Sequence, residues 1–153
     1  MEPKFETKSA FDIIGLQIRG ANNNGECPQL WNDFIKVVHE VKPLASTPIK
    51  AYGVCSDFDM QNNIFTYTVG LEVQDLSIIP LNMITLHIPK NEYAVFECTL
   101  PTLMQTLHDI HKNWLPNSPY MQGNNPEFEY YDTDFDPENP ESKMYLYIPI
   151  IKK

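Results

Sequence analysis

Two stretches of this chain carry apolar residues at helical spacing, and each opens on one proline and closes on another. In the first, Leu30, Trp31, Phe34, Val37, Val38 and Val41 recur every three or four residues between Pro28 and Lys42-Pro43. In the second, Leu103, Met104, Leu107, Ile110 and Trp114 do so between Pro101 and Leu115-Pro116. Proline is harmless in a first turn because the N–H it lacks would have had no intrahelical partner. Runs rich in β-branched and aromatic residues, Ile13 to Ile18 and Tyr93 to Leu100, precede the helices. Two strand-like runs follow each: Ala51 to Asp57 and Ile64 to Val73, then Phe128 to Asp132 and Lys143 to Ile150. Turn residues at Asn22-Asn23-Asn24-Gly25, at Asn62-Asn63 and between Pro116 and Pro126 separate them.

The order β-α-β-β thus occurs twice. It predicts an α+β fold: duplicated β-α-β-β units with pseudo-twofold symmetry, an antiparallel sheet with two helices on one face, and a ligand cleft between the repeats. One domain spans residues 1–153, with repeat one over about residues 4–75 and repeat two over about 85–151. Leu76 to Ile88 connects them and has room for an extended piece between Pro80 and Pro89. The Pro28-to-Pro101 offset carries Leu30 onto Leu103, Phe34 onto Leu107 and Val41 onto Trp114; aligning Phe58 with Phe135 sets Tyr52 in the place of Glu129.

Glu129 is the most telling residue. Alternation along Phe128-Glu129-Tyr130-Tyr131 puts Glu129 and Tyr131 on one face, and Tyr145 and Tyr147 share a face of the last strand. A carboxylate facing inward among rings is costly unless a cation or hydrogen bonds compensate it, so a hydrophobic cation is its natural partner. Tyrosines with wet hydroxyls beside a solvated glutamate are the alternative.

Composition narrows the partners. The formal charge of −9, from 20 acidic and 11 basic residues, opposes direct nucleic-acid binding, and no apolar run reaches the roughly 20 residues of a membrane span. An acidic N-terminus without an apolar core leads to an expectation of a cytoplasmic protein. Cys27, Cys55 and Cys98 are an odd number without a C-x-x-C pair, so reduced, structural thiols are expected. Asp132, Asp134 and Asp136 begin like a calcium loop, but Pro137 holds the glycine position and Lys143 the twelfth. His108 and His111 are three apart on a helix with no third ligand in view, and no glycine-rich phosphate loop occurs. No metal and no cofactor are expected.

Tyr52-Gly53-Val54, Tyr67-Thr68-Val69-Gly70-Leu71-Glu72-Val73, Tyr93-Ala94-Val95-Phe96, Trp114-Leu115-Pro116, Phe128-Glu129-x-Tyr131-Asp132 and Tyr145 to Ile150 resemble, in order and spacing, the GyrI-like small-molecule-binding family. This is the effector-binding domain of AraC-type and multidrug-responsive regulators, and the resemblance spans nearly the whole chain. It implies a cleft between two repeats in which Glu129 meets lipophilic cations, Tyr131 stands beside it, and Tyr145 or Tyr147 forms an aromatic wall, with Tyr52, Tyr67 and Trp31 contributing from the first repeat. It also implies a stand-alone member, without the DNA-binding domain of many relatives. Three outputs stay open: a small-molecule binder, a hydrolase of cyclopropane-containing genotoxins using Glu129 and Tyr147, with Glu97 as a second acid, and a protein-interaction module whose partner is a regulator or DNA gyrase.

Overall fold

The computed structural model describes residues 2–153. Its strands are β1 (Lys4–Lys8), β2 (Phe11–Gly20), β3 (Ala51–Asp59), β4 (Ile64–Val73), β5 (Ile84–Ile88), β6 (Asn91–Thr99), β7 (Tyr120–Gln122), β8 (Glu127–Tyr131) and β9 (Lys143–Lys152). All pairings are antiparallel, and the sheet order is β1-β6-β9-β8-β3-β4-β2-β5, with β7 paired to the end of β9. Helix α1 (Glu26–Val37) lies between β2 and β3. Helix α2 (Leu103–Asp109) lies between β6 and β7, continued by a π turn (Ile110–Trp114) and a last turn (Leu115–Asn117). Among the described residues, no helix is long and apolar enough to cross a membrane.

The duplicated unit is present and larger than the pattern predicts. Strands β2, β3 and β4 mirror β6, β8 and β9 about the β3–β8 seam, and each unit also owns a leading strand that pairs with the other unit. Thus β1 of the first unit lies on β6, and β5 of the second lies on β2. Both are short edge strands; β1 is exposed with little alternation, whereas β5 alternates and is the extended piece for which the sequence leaves room between Pro80 and Pro89. The helices also outrun their expected ends. After Val37 two 3₁₀ turns, Val38–Glu40 and Lys42–Leu44, carry the chain past Pro43 and bury Val41 fully. Pro116 sits inside the last turn of α2, where the preceding π turn already reroutes the hydrogen bond from the Leu115 N–H to the Ile110 carbonyl.

Chain connectivity forces the sheet to roll. Strands β1 and β2 are six places apart in the order, which in a flat sheet is on the order of 29 Å. Only Ser9 and Ala10 join them, a link that spans at most about 11 Å. Pro89 and Lys90 impose the same constraint between β5 and β6. The two edges therefore curl toward each other and the sheet has an inner and an outer face.

Aromatic and aliphatic side chains fill the inner face without any helix: Phe11, Ile13, Tyr52, Val54, Ile88, Tyr93, Phe128 and Tyr147 are all buried in one cluster. Phe11 ties the roll shut, its ring 4.7 Å from Tyr52 and 5.6 Å from Phe128. The outer face carries both helices, with Leu30 and Phe34 over the first unit and Ile110 and Leu115 over the second. Trp31 packs against both outer clusters and so spans the seam.

Truncating Phe11 removes the clasp and leaves a cavity against four strands. Phe11→Ala is expected to cost about 3–5 kcal/mol in a urea unfolding titration; a loss below about 1 kcal/mol would mean the inner face is not closed by the roll.

Candidate functional site

Strand β8 pairs with β3 so that Glu129 lies directly opposite Gly53, and with β9 so that it lies opposite Leu146. Side chains directly across a sheet share a face. Glu129, Tyr131 and Leu146 therefore point outward beneath the helices, while Phe128, Tyr130, Tyr145 and Tyr147 point inward.

The outward group converges. Tyr131 Oη donates to Glu129 Oε1 at 2.7 Å, and Tyr67 Oη from β4 reaches the same oxygen at 3.0 Å and Oε2 at 3.2 Å. Trp31 Nε1 of α1 donates to Tyr67 Oη at 2.8 Å, and the Trp31 ring meets the Tyr131 ring edge-on with centroids 5.2 Å apart. The glycine across the seam makes room for this. A Cβ on Gly53 would run into Tyr67 Oη and lie 2.9 Å from Glu129 Oε1.

No lysine, arginine or histidine forms an ion pair with Glu129 among the described residues. Burial pushes its carboxyl up to about 7, against the two phenol hydrogen bonds that favour the charged form, and the nearby Glu127 pushes the same way. Burial first and Glu129 second hold the Tyr67 and Tyr131 phenols well above their ordinary value, so both stay protonated donors. All three thiols border this region and are raised by burial, Cys27 to about 11 and Cys98 to about 12, which makes them inert near neutrality.

The residues expected to join Glu129 thus divide. Tyr131, Tyr67 and Trp31 surround it. Tyr52, Tyr145 and Tyr147 do not, because their positions differ by one from those of its cross-strand neighbours, and one residue along a strand reverses the face. The expected aromatic wall from the last strand is on the other side of the sheet, and so is the Tyr147 hydroxyl expected to act with Glu129. Tyr52 is likewise no counterpart of Glu129, since Gly53 holds the outward position. On the inner face Tyr52 Oη donates to Glu72 at 2.7 Å, and the Lys8 ammonium sits 4.9 Å from the Phe11 ring centroid and 5.8 Å from that of Tyr52. Glu97 is half exposed and 3.5 Å from Lys143, so it is not a second acid of the site.

Two residues escape the sequence reading. Glu127 lies two places before Glu129 on the same face, a period-two signal open to sequence analysis. His111 of the π turn after α2, considered above only beside His108, points at Glu127, with Nε2 at 3.6 Å from Oε2. A separate cavity of about 400 Å³ beside the start of α1 is lined by Ile18, Arg19, Cys27, Leu30, Phe65 and Tyr67. It reaches Tyr67 and stops short of the carboxylate.

Comparison with known proteins identifies the family and the fold. The family model for the GyrI-like small molecule binding domain matches residues 1–151. The transcriptional regulator BrlR of Pseudomonas aeruginosa is 31% identical over 153 residues, which cover 98% of this chain and 56% of BrlR, so the chain spans about half the length of that relative. The structure of SAV2435 bound to tetraphenylphosphonium superposes with a TM-score of 0.82 at 14% identity, covering 99% of this chain and 94% of that one. A hydrolase from Listeria innocua shares the fold at a TM-score of 0.54 and 10% identity, covering 98% and 92%.

Two predictions follow from the carboxylate's setting. Gly53→Ala is expected to destabilise by about 1–3 kcal/mol, and by clearly less in a Tyr67→Phe background that lacks the clashing hydroxyl; equal costs in both backgrounds would separate Gly53 from the site. Because folding raises the Glu129 carboxyl from an ordinary 4.5 to about 7, the native state holds a proton that the unfolded chain has lost. Stability therefore falls as pH rises between those values, by up to about 3 kcal/mol, and the loss persists above pH 7. Glu129→Gln should remove most of that slope in chemical denaturation at pH 4 to 8, and an unchanged slope would contradict the burial.

Proposed function

The chain belongs to the GyrI-like small-molecule-binding family, and we propose that it binds lipophilic, cationic aromatic molecules in the cleft between its two repeats, with Glu129 as the charge partner. One observation carries this reading: a half-buried carboxylate that is held by two phenols and has no cation of its own among the described residues. A ligand cation would supply the missing charge, and Trp31, Tyr67 and Tyr131 would supply ring faces and edges. A desolvated cation–π contact contributes roughly 2 kcal/mol or more, so two such contacts beside an ion pair support micromolar binding.

In the free protein the Trp31 ring packs edge-on against Tyr131, which bonds the carboxylate, so a bulky ligand would have to part the α1 side of the cleft. Ionisation of Glu129 accompanies binding. Below pH 7 the incoming cation must displace a proton, and above it the carboxylate is already charged.

Regulation by ligand is the output this reading favours, given the relationship to BrlR. A second reading rests on the Glu129 carboxyl near 7, where a general base works best at neutral pH. Here Glu129 would draw a proton from water, with Tyr67 or Tyr131 rather than Tyr147 as the hydroxyl partner.

Isothermal titration with tetraphenylphosphonium and the neutral triphenylphosphine oxide, on wild type and Glu129→Gln, separates these outcomes. The cation should lose at least tenfold in affinity on substitution, equivalent to about 1.4 kcal/mol, while the neutral compound changes little. Wild-type affinity for the cation should climb about tenfold per pH unit up to pH 7 and then level off. Equal losses for both compounds would sink the charge role. Mass spectrometry of wild-type mixtures with strained-ring electrophiles, showing hydrolysed product beyond one equivalent, would establish the enzyme instead.

A further inference from the structure

A second acid flanks Glu129 on the same face, and its hydrogen bonding is unfinished. Strand alternation brings Glu127 onto the Glu129 face, opposite Cys55, about 6–7 Å further along the strand. Its side chain keeps 13% of its exposure, yet Oε2 is wholly enclosed and has no hydrogen-bond partner among the described residues. The His111 imidazole Nε2 stops at 3.6 Å, beyond hydrogen-bonding length. An enclosed carboxylate oxygen without a donor is costly, and such groups in a cleft mark a place where a donor arrives from elsewhere. The neighbouring Cys55 thiol is pushed up by burial and cannot supply a strong donor or a charge.

Resting on the reading of Glu129 as the cation partner, we infer that Glu127 is a second anchor of the same cleft and that it selects aromatic ligands carrying two cationic groups, the second bearing N–H donors. Glu129 takes one charge among the rings of Trp31, Tyr67 and Tyr131. Glu127 takes the other, replacing the long contact to His111 with a charge-assisted hydrogen bond to Oε2. The spacing of the two carboxylates along one strand sets the spacing of the two charges in the ligand. A bulky monocation such as tetraphenylphosphonium uses only the first anchor.

The experiment compares para-xylylenediamine, a rigid diamine, with benzylamine, its single-charge half, and with tetraphenylphosphonium, by calorimetric titration at pH 8. Wild type should prefer the diamine to benzylamine by at least tenfold. Glu127→Gln should reduce that preference to about twofold, the statistical advantage of two equivalent ends, with tetraphenylphosphonium affinity unchanged. His111→Gln breaks the same ion pair from the other side but keeps the carboxylate, so it should retain the preference. No diamine preference in wild type, or its equal loss in His111→Gln, would overturn the second anchor, the latter showing that Glu127 only places α2. If benzylamine and tetraphenylphosphonium also bind independently of Glu129, the underlying cation site fails; if they depend on Glu129 and the diamine gains nothing, only the second anchor does.

Discussion

A carboxylate half withdrawn from water without a counter-charge is the constraint around which this site is organised. Two phenols, from β4 and β8, stabilise the charged form of Glu129, and an indole from α1 holds one of those phenols in place. They do not fully offset burial, since the carboxyl remains near 7. The site is therefore poised: a proton completes it, and in the proposed complex a ligand cation would compete for the same place. A carboxylate paired with an arginine would be better satisfied at rest and would have little left to offer a ligand.

The rolled sheet gives this site its isolation. Two-residue links between opposite sheet edges force a closed inner face, and that face consumes most of the aromatic side chains of the central strands. The chain's own Lys8 provides the cation over the Phe11 and Tyr52 rings there. The outer face carries the acids Glu127 and Glu129 under two helices, with Trp31 of α1 packed on both repeats. Rigidity and recognition are thus divided between the faces. The inner cluster packs the seam strands together from one side, while α1 and its Leu30 and Phe34 pack on the other.

Pseudo-symmetry is broken at the one seam position where Glu129 stands. At the seam, the outward position of β3 is Gly53 and the outward position of β8 is Glu129, directly paired. A second carboxylate at position 53 would set like charges across a few ångströms; any larger side chain there would displace Tyr67. Glycine opposite glutamate lets the carboxylate lie over the axis and draw hydrogen-bond donors from both repeats.

Local periodicity made much of this legible before any coordinates. The two helices, the six strands of the β-α-β-β repeats, and the pairing of Glu129 with Tyr131 depend on spacings of 3.6 and 2 residues, which a sequence displays directly. Glu127 was within reach of the same reasoning. The face shared by Glu129 with Leu146 rather than Tyr145 or Tyr147 was not, because register is fixed by pairing between segments far apart in the chain, and a slip of one residue reverses every side chain. The leading strand β1 escaped for a related reason: a short edge strand owes its form to the partner it pairs with, not to its own pattern. Sequence alone determined which elements exist and that an acid sits among aromatics. Only the tertiary structure decided which aromatics, since closure of the sheet assigns each strand's two faces to different environments.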